Sequence, residues 1–275
     1  MKVAAYQAPL LSSGSTDTAL GLIREQIDWC ELQGVEILCC PEGILGGLAD
    51  YASRPADIAI DVAGGKLDSL LSPLASNSVT IILGFTEIDS GRLYNTAAIF
   101  QQGSVVGLYR KLYPAINHSV YDPGDKIPVF TIGDLTFGII ICNDSNYFEP
   151  ARIMAAKGAT ALFVPTNNGL PPTKGGPELV ALARNVDIAR AVENTVSVIR
   201  ADVVGNADNL MSYGSSEIVD HNGMVLQSAQ QLDTGIIVAE ISTKSRECWR
   251  GWDVAKNSSV IDEYVGLLTR ERDIV

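Results

Sequence analysis

Short apolar runs alternate with longer amphipathic stretches from one end of the chain to the other. Runs at 2–6, 35–40, 79–85, 96–100, 105–109, 137–142, 161–165 and 195–201 predict buried or half-buried strands. Between the first two, 16–33 places Leu20, Ile23, Ile27 and Cys30 at helical spacing, and Gly34 supplies a stop. A second helix is predicted over 178–194, with Leu179, Leu182, Val186 and Ala189 along one face. A third covers 149–157, stopped by Gly158, and a fourth 66–76. Other connections are turns. Asp89-Ser90-Gly91 joins two strand-like runs, and Gly133-Asp134 separates 129–132 from 135–141. Asn222-Gly223, between 217–220 and 224–228, is the strongest hairpin signal. Helices mixed with hairpins predict an α/β fold whose sheets are partly parallel and partly antiparallel, with helices on the outer faces. No repeat, charge block or Ser/Gly linker divides the chain, so a single domain over 1–275 is expected.

Composition narrows the partners. Hydrophobic residues make up 47% and charged residues 19%, ample material for a large core. A formal charge of −12 repels phosphate backbones and anionic lipid surfaces, which argues against nucleic-acid and membrane partners. The opening MKVAAYQAPL reads as a first strand rather than a signal peptide, and no apolar run is long enough to span a bilayer. The expectation is a soluble, cytoplasmic protein. Five cysteines (Cys30, Cys39, Cys40, Cys142 and Cys248) form no disulfide framework and no C-x-x-C pair. With only His118 and His221, a three-histidine metal centre is impossible, and neither metal nor organic cofactor is expected.

In α/β proteins the chemistry-bearing side chains sit just past the carboxyl ends of buried strands. Three positions qualify: Glu42 in ILCCPEG, Lys111 in GLYRKLYP and Cys142 in TFGIIICNDS. Singly, each has a plain reading as a loop carboxylate, a solvated basic rim or a core cysteine. Together they form a working set. A thiol needs a base or a positive neighbour to react at neutral pH. Glu42 serves as that base if burial raises its pKa, and Lys111 stabilises the thiolate and then an oxyanion. The backbone N–H of Asn143 is a second oxyanion donor, as at a strand-to-helix nucleophile turn. Asn167 and Asn168 follow the strand ending at Pro165, on the edge where a substrate would bind; simple turn residues are the other reading. His221 reads as a surface turn residue, and His118 is left without a role. Cys39 and Cys40 read as core.

These segments resemble the carbon–nitrogen hydrolase, or nitrilase, superfamily, whose catalytic set is Glu-Lys-Cys in this chain order. ILCCPEG is similar to its apolar-Pro-Glu segment, YRKLYP to its Arg-Lys segment and FGIIICNDSNYFEPAR to its nucleophile segment. MKVAAYQAPL is similar to the first strand, Arg190-Ala191-Val192-Glu193-Asn194 to a helix end, and GSSEIVDHNGMVL to a late hairpin. The resemblance implies Glu42 as general base and acid, Lys111 as transition-state stabiliser and Cys142 as nucleophile. It also implies a four-layer α-β-β-α sandwich and a homodimer or higher homo-oligomer, with Asp144 orienting the nucleophile loop. Arg190 and Glu193 are expected to form a buried structural pair.

The chain departs from the family pattern in two places. Many members carry a second glutamate after the lysine, whereas no glutamate lies between Lys111 and Cys142; Asp122 is the nearest counterpart, one methylene shorter. The nucleophile segment often runs Cys-Tyr-Asp-x-Arg-Phe-Pro-Glu, and here it runs Cys-Asn-Asp-Ser-Asn-Tyr-Phe-Glu-Pro. The expected activity is hydrolysis of a small carboxamide or carbamoyl compound through a Cys142 thioester, releasing ammonia. Nitrile hydrolysis by the same three residues and a catalytically silent small-molecule-binding protein are the alternatives. A Gly-x-Ser-x-Gly serine hydrolase motif with a placed histidine is absent.

Overall fold

The computed structural model describes residues 1–115, 118–244 and Asp262. The fold is that of the unit Met1–Ser245; the expected single domain over 1–275 extends, with Cys248, outside the described residues. Fifteen strands are described, in two sheets. β1 (Lys2–Pro9), β2 (Ile37–Cys39), β3 (Ile60–Asp61), β4 (Thr80–Asp89), β5 (Arg92–Gln101) and β6 (Ser104–Arg110) belong to the first sheet, with β11 (Val203–Ala207), β12 (Leu210–Tyr213) and β15 (Gly235–Glu240). Its order is β12-β11-β1-β2-β4-β5-β6, with β15 on β1 and β3 on β4. The second sheet runs β14-β13-β10-β9-β8-β7, built from β7 (Phe130–Ile132), β8 (Leu135–Ile139), β9 (Ala161–Pro165), β10 (Ser197–Ala201), β13 (Glu217–Val219) and β14 (Val225–Ser228).

Each sheet has a parallel centre, β1-β2-β4 in one and β8-β9-β10 in the other, flanked by antiparallel hairpins. The hairpins sit where the turn residues place them. Ser90 and Gly91 both have positive φ (51° and 79°) between Asp89 and its partner Arg92, the conformation that matches strand twist in a two-residue turn. Gly133 and Gly223 (φ 55° and 83°) turn the chain after β7 and β13.

Strand alternation assigns the two faces of the first sheet. Val3 and Ala5 pack towards the second sheet, in one core with Ile139, Phe163 and Ile199. Ala4 and Tyr6 pack the other way, in a second core with Ile23, Ile27 and Cys30 of α1 (Thr16–Leu32) and with Leu67 and Leu71 of α2 (Lys66–Leu71). On the far side of the second sheet, α3 (Phe148–Ala156) and α4 (Glu178–Asn194) contribute Ala151, Met154 and Ala191. The layers therefore run α-β-β-α, held by apolar stripes of period 2 on the strands and near 3.6 on the helices.

Four strands escape the sequence reading. β3, β11, β12 and β15 were not predicted, although Asp208-Asn209, with Asp208 at φ 53°, is a two-residue turn joining β11 to β12. β15 is only half-buried and lacks clean alternation, so its strand character comes from six residue pairings with β1. The fourth helix ends earlier than predicted, at Leu71, and passes into a 3-10 turn over Ser72–Leu74, where Pro73 lacks the N–H to continue an α-helix.

Candidate active site

The carboxyl ends of β2, β6, β8, β9 and β10 converge on one edge of the sandwich, and the predicted residues sit there. Glu42 lies three residues past β2, Lys111 one past β6 and Cys142 three past β8. The two sheets are joined at this edge by backbone and side chain: Glu42 N donates to Thr166 O at 3.3 Å, and Asn167 Nδ2 to Glu42 O at 3.4 Å.

Glu42 and Lys111 form a buried ion pair, Nζ to Oε1 at 2.6 Å, with side-chain exposures of 2% and 4%. The same Oε1 accepts from Asn95 Nδ2 at 2.7 Å, and Oε2 accepts from the backbone N–H of Asn167 at 3.0 Å. Burial pulls the Lys111 ammonium down, but the negative charge of Glu42, with Cys142 and Asp144, outweighs it and holds Lys111 above its ordinary value. One of the three ammonium protons is placed on Glu42, which leaves two for another oxygen.

Cys142 begins a 3-10 turn, Cys142–Asn146, and takes φ 44°. A non-glycine residue in the left-handed region is strained, and such strain concentrates at functional turns. Burial and the Glu42 charge push its thiol up to about 12, against the opposing pull of Lys111 and Arg200. At neutral pH it is a protonated thiol that needs a base. Its Sγ lies 3.9 Å from Asn168 Oδ1. The backbone N–H of Asn143 has no partner among the described residues, as the first amides of a helical turn do not.

The turn is held from three sides. Buried Asp144 accepts from Tyr109 Oη and from the backbone N–H groups of Ile141, Leu112 and Tyr113, all at 2.8–3.1 Å, and so ties the nucleophile turn to the loop that carries Lys111. Its carboxyl is raised by burial, with Lys111 the main opposing charge. Arg190 Nε donates to Ser145 O at 2.9 Å while Nη1 pairs with Glu193. The expected Arg190–Glu193 pair thus also anchors the nucleophile turn, with Arg190 buried and Glu193 half-buried. Arg200, buried and paired with Asp187 through two hydrogen bonds of 2.5–2.6 Å, reaches Ser145 Oγ at 3.0 Å and Thr166 Oγ1 at 2.8 Å.

Several contributors escaped the sequence reading: Asn95, Asp187, Arg200, Asp202 and Ser215. All five are polar and buried: Asp187 and Arg200 lie inside a predicted helix and strand and Asp202 just past one, while Asn95 and Ser215 precede predicted strands, so a signal was available only for Arg200. Arg110 is no solvated rim residue. It donates twice to buried Glu87 at 2.7–2.9 Å and lies 3.9 Å over the Tyr94 ring. Asp122 is half-buried, its backbone N–H on Leu93 O, and none of its hydrogen bonds reaches Glu42, Lys111 or Cys142. His118 is exposed, and His221 belongs to the Asn222-Gly223 turn with its Nε2 on Asn222. Cys39 and Cys40 are core residues, fully buried. Among the described residues no group of three or more His, Cys, Asp or Glu could hold a metal ion, and no helix is long and apolar enough to cross a membrane.

A cysteine, a lysine and a glutamate brought to one edge of an α-β-β-α sandwich define a class, and the chain belongs to it: over residues 2–251 it matches the carbon-nitrogen hydrolase family. It is 30% identical over 251 residues to an (R)-stereoselective amidase of a Pseudomonas species, covering 90% of this chain and 88% of that one. It is also 30% identical over 214 residues to a nitrilase of Pyrococcus abyssi, 76% of this chain and 78% of that one. In structure it is similar to a carbon-nitrogen hydrolase from Helicobacter pylori G27, with a TM-score of 0.84 at 22% identity over 98% of both chains. The protein is an enzyme of this amidase and nitrilase kind.

Proposed function

We propose that the protein hydrolyses a small carboxamide or carbamoyl compound with Glu42, Lys111 and Cys142, releasing ammonia. The buried Lys111–Glu42 pair acting on the strained Cys142 thiol carries this reading. As Cys142 Sγ bonds to the carbonyl carbon, the thiol proton passes to Glu42 and the carbonyl electrons move onto oxygen. The oxyanion takes hydrogen bonds from the unpaired Asn143 N–H and a free Lys111 proton. Glu42 then returns its proton to the leaving nitrogen, the C–N bond breaks, and ammonia departs from a Cys142 thioester. Water attacks the thioester, giving a proton to Glu42; the acid leaves and Cys142 is reprotonated.

Oε1 of Glu42 is occupied by Lys111 and Asn95, so Oε2, bonded among the described residues only to the Asn167 amide, is the oxygen that exchanges the proton. Asn167 and Asn168 face the substrate in this reading, and Asp122 belongs to the pocket wall with the loops 43–54, 118–126 and 167–176. The chain works in the cytoplasm as a homodimer or larger homo-oligomer, and 1–275 is one domain. The test is ammonia release from a panel of amides, carbamoyl amines, ω-amido acids and nitriles, with intact mass read on quenched samples. An acyl adduct on the wild type that is absent from Cys142→Ala is expected. Cys142→Ala should lose about 10⁴-fold or more in kcat while its thermal transition stays cooperative. Equal rates for mutant and wild type would overturn the assignment.

A further inference from the structure

Asp202 takes no part in the proton transfers above, yet it is fully buried beside the site. A buried carboxylate is costly unless its oxygens are satisfied. Here they are, by five donors. Oδ1 accepts from the backbone N–H groups of Asn168 at 3.0 Å and Val203 at 2.8 Å. Oδ2 accepts from Asn168 Nδ2 at 3.0 Å, Ser215 N at 3.0 Å and Ser215 Oγ at 2.7 Å. Ser215 Oγ in turn accepts from Asn168 Nδ2 at 3.2 Å.

The consequence is an oriented amide. Both protons on Asn168 Nδ2 have acceptors, and turning the group over would set its carbonyl oxygen against the Asp202 carboxylate and lose both bonds. Oδ1 is therefore the end directed at Cys142 Sγ, 3.9 Å away. An atom two bonds from Sγ comes within hydrogen-bond reach of an oxygen so placed when it lies on the Asn168 side of the sulfur. In the adduct formed by attack on a carboxamide, the nitrogen is such an atom, and it carries hydrogens.

We propose that Asp202 and Ser215 hold Asn168 as a reader of the substrate's N–H, so that the site selects primary carboxamides over nitriles and esters of the same acyl group. This rests on the amidase reading above. A nitrile nitrogen brings no hydrogen to Asn168 Oδ1 before attack, and an ester oxygen brings none at any stage; their lone pairs face its own. A site built around a fixed acceptor disfavours an analogue that leaves the acceptor unpaired. Asn168 contacts the reacting group, and Asp202 and Ser215 position it.

The experiment compares kcat/KM for an amide, a methyl ester and a nitrile sharing one acyl group, in wild type, Asn168→Leu, Asp202→Asn and Ser215→Ala. Loss of one hydrogen bond to a reacting group predicts that Asn168→Leu lowers the amide-to-ester ratio by about 10- to 100-fold. Asp202→Asn, which lets the amide turn over, should lower it by about 10-fold, and Ser215→Ala by about threefold. Ratios unchanged from wild type, with all three activities falling together, would overturn the proposal and leave the amidase reading standing. Ester or nitrile turnover by a wild type that releases no ammonia from any amide would overturn the amidase reading itself. Should Asn168→Leu fail to fold, Ser215→Ala removes one acceptor from a side chain that stays in place, and its ratio decides.

Discussion

Asn95 is the residue whose position most constrains Glu42. It lies on β5, 53 positions further along the chain, and shares Glu42 Oε1 with Lys111. Its own backbone carbonyl accepts from Lys111 N at 2.8 Å, so one residue sets the relative placement of base and ammonium. The sequence reading looked for a second carboxylate after Lys111; the structure puts a neutral amide on Glu42 instead. Asn95→Ala removes a hydrogen bond to a charged group, about 1.5–3 kcal/mol. It should lower kcat by about 10-fold or more while Cys142 remains alkylated by iodoacetamide. Steady-state kinetics with mass-monitored alkylation decides, and an unchanged kcat would show that Lys111 alone suffices to hold Glu42. The proposed Glu-Lys-Cys set could be picked out because residue type and strand end are local properties. Asn95 was hidden because an asparagine at the edge of a strand pattern carries no mark of what lies across the sheet.

At the level of elements, β4 and the Glu42 segment approach more closely than any side chain would allow. A Cβ on Gly84 would lie 2.4 Å from Gly43 N and 2.7 Å from Glu42 Cα, both backbone atoms. The contact is secured by hydrogen bonds on either side, Cys40 N to Ile82 O at 2.8 Å and Leu45 N to Gly84 O at 3.1 Å. Gly84→Ala must therefore move Glu42, the proposed base. Overpacking of this kind costs about 1–3 kcal/mol, and a displacement near 1 Å at a reacting group costs on the order of 10²-fold in rate. Loss of activity out of proportion to a modest fall in Tm is the expected result; a stable variant with wild-type kcat would mean that the strand yields and the base does not. The strand itself was predicted from its apolar run. Nothing in the run singles out its glycine, because the need for a missing side chain exists only once two segments meet.

For the whole molecule, the buried cysteines set a pH dependence. Burial pushes Cys30 and Cys142 up to about 12 from an ordinary 9.0, and Cys39 and Cys40 higher still. Groups raised in the folded state ionise first in the unfolded chain. Their contribution to stability is complete below pH 9 and is lost as pH rises towards 12. Tm should therefore fall steadily between pH 9 and 11, and Cys30→Ala should flatten that slope even while lowering Tm at pH 7 through the cavity it leaves. Calorimetry across the range checks it; a variant slope equal to the wild type's would remove Cys30 from the account. The carboxyls of Asp144, Asp202 and Glu217 are raised by burial as well, so in the acid range they too favour the folded state at lower pH.

What the linear pattern carried was the α/β class, the mixed sheets, most elements and the three residues proposed for the reaction, because periodicity, turn chemistry and residue type are properties of neighbours along the chain. Folding decided the rest. It placed Lys111 against Glu42 across 69 positions, gave Cys142 its positive φ, and brought Arg200, Asp202 and Ser215 behind the nucleophile turn and Asn168. It also made a strand of the half-buried residues 235–240 by pairing them with β1. These depend on which strand ends lie side by side once two sheets are stacked. Parallel strands are joined by long crossovers, so their neighbours in space are far apart in sequence. A buried polar group finds its partner there rather than within its own segment.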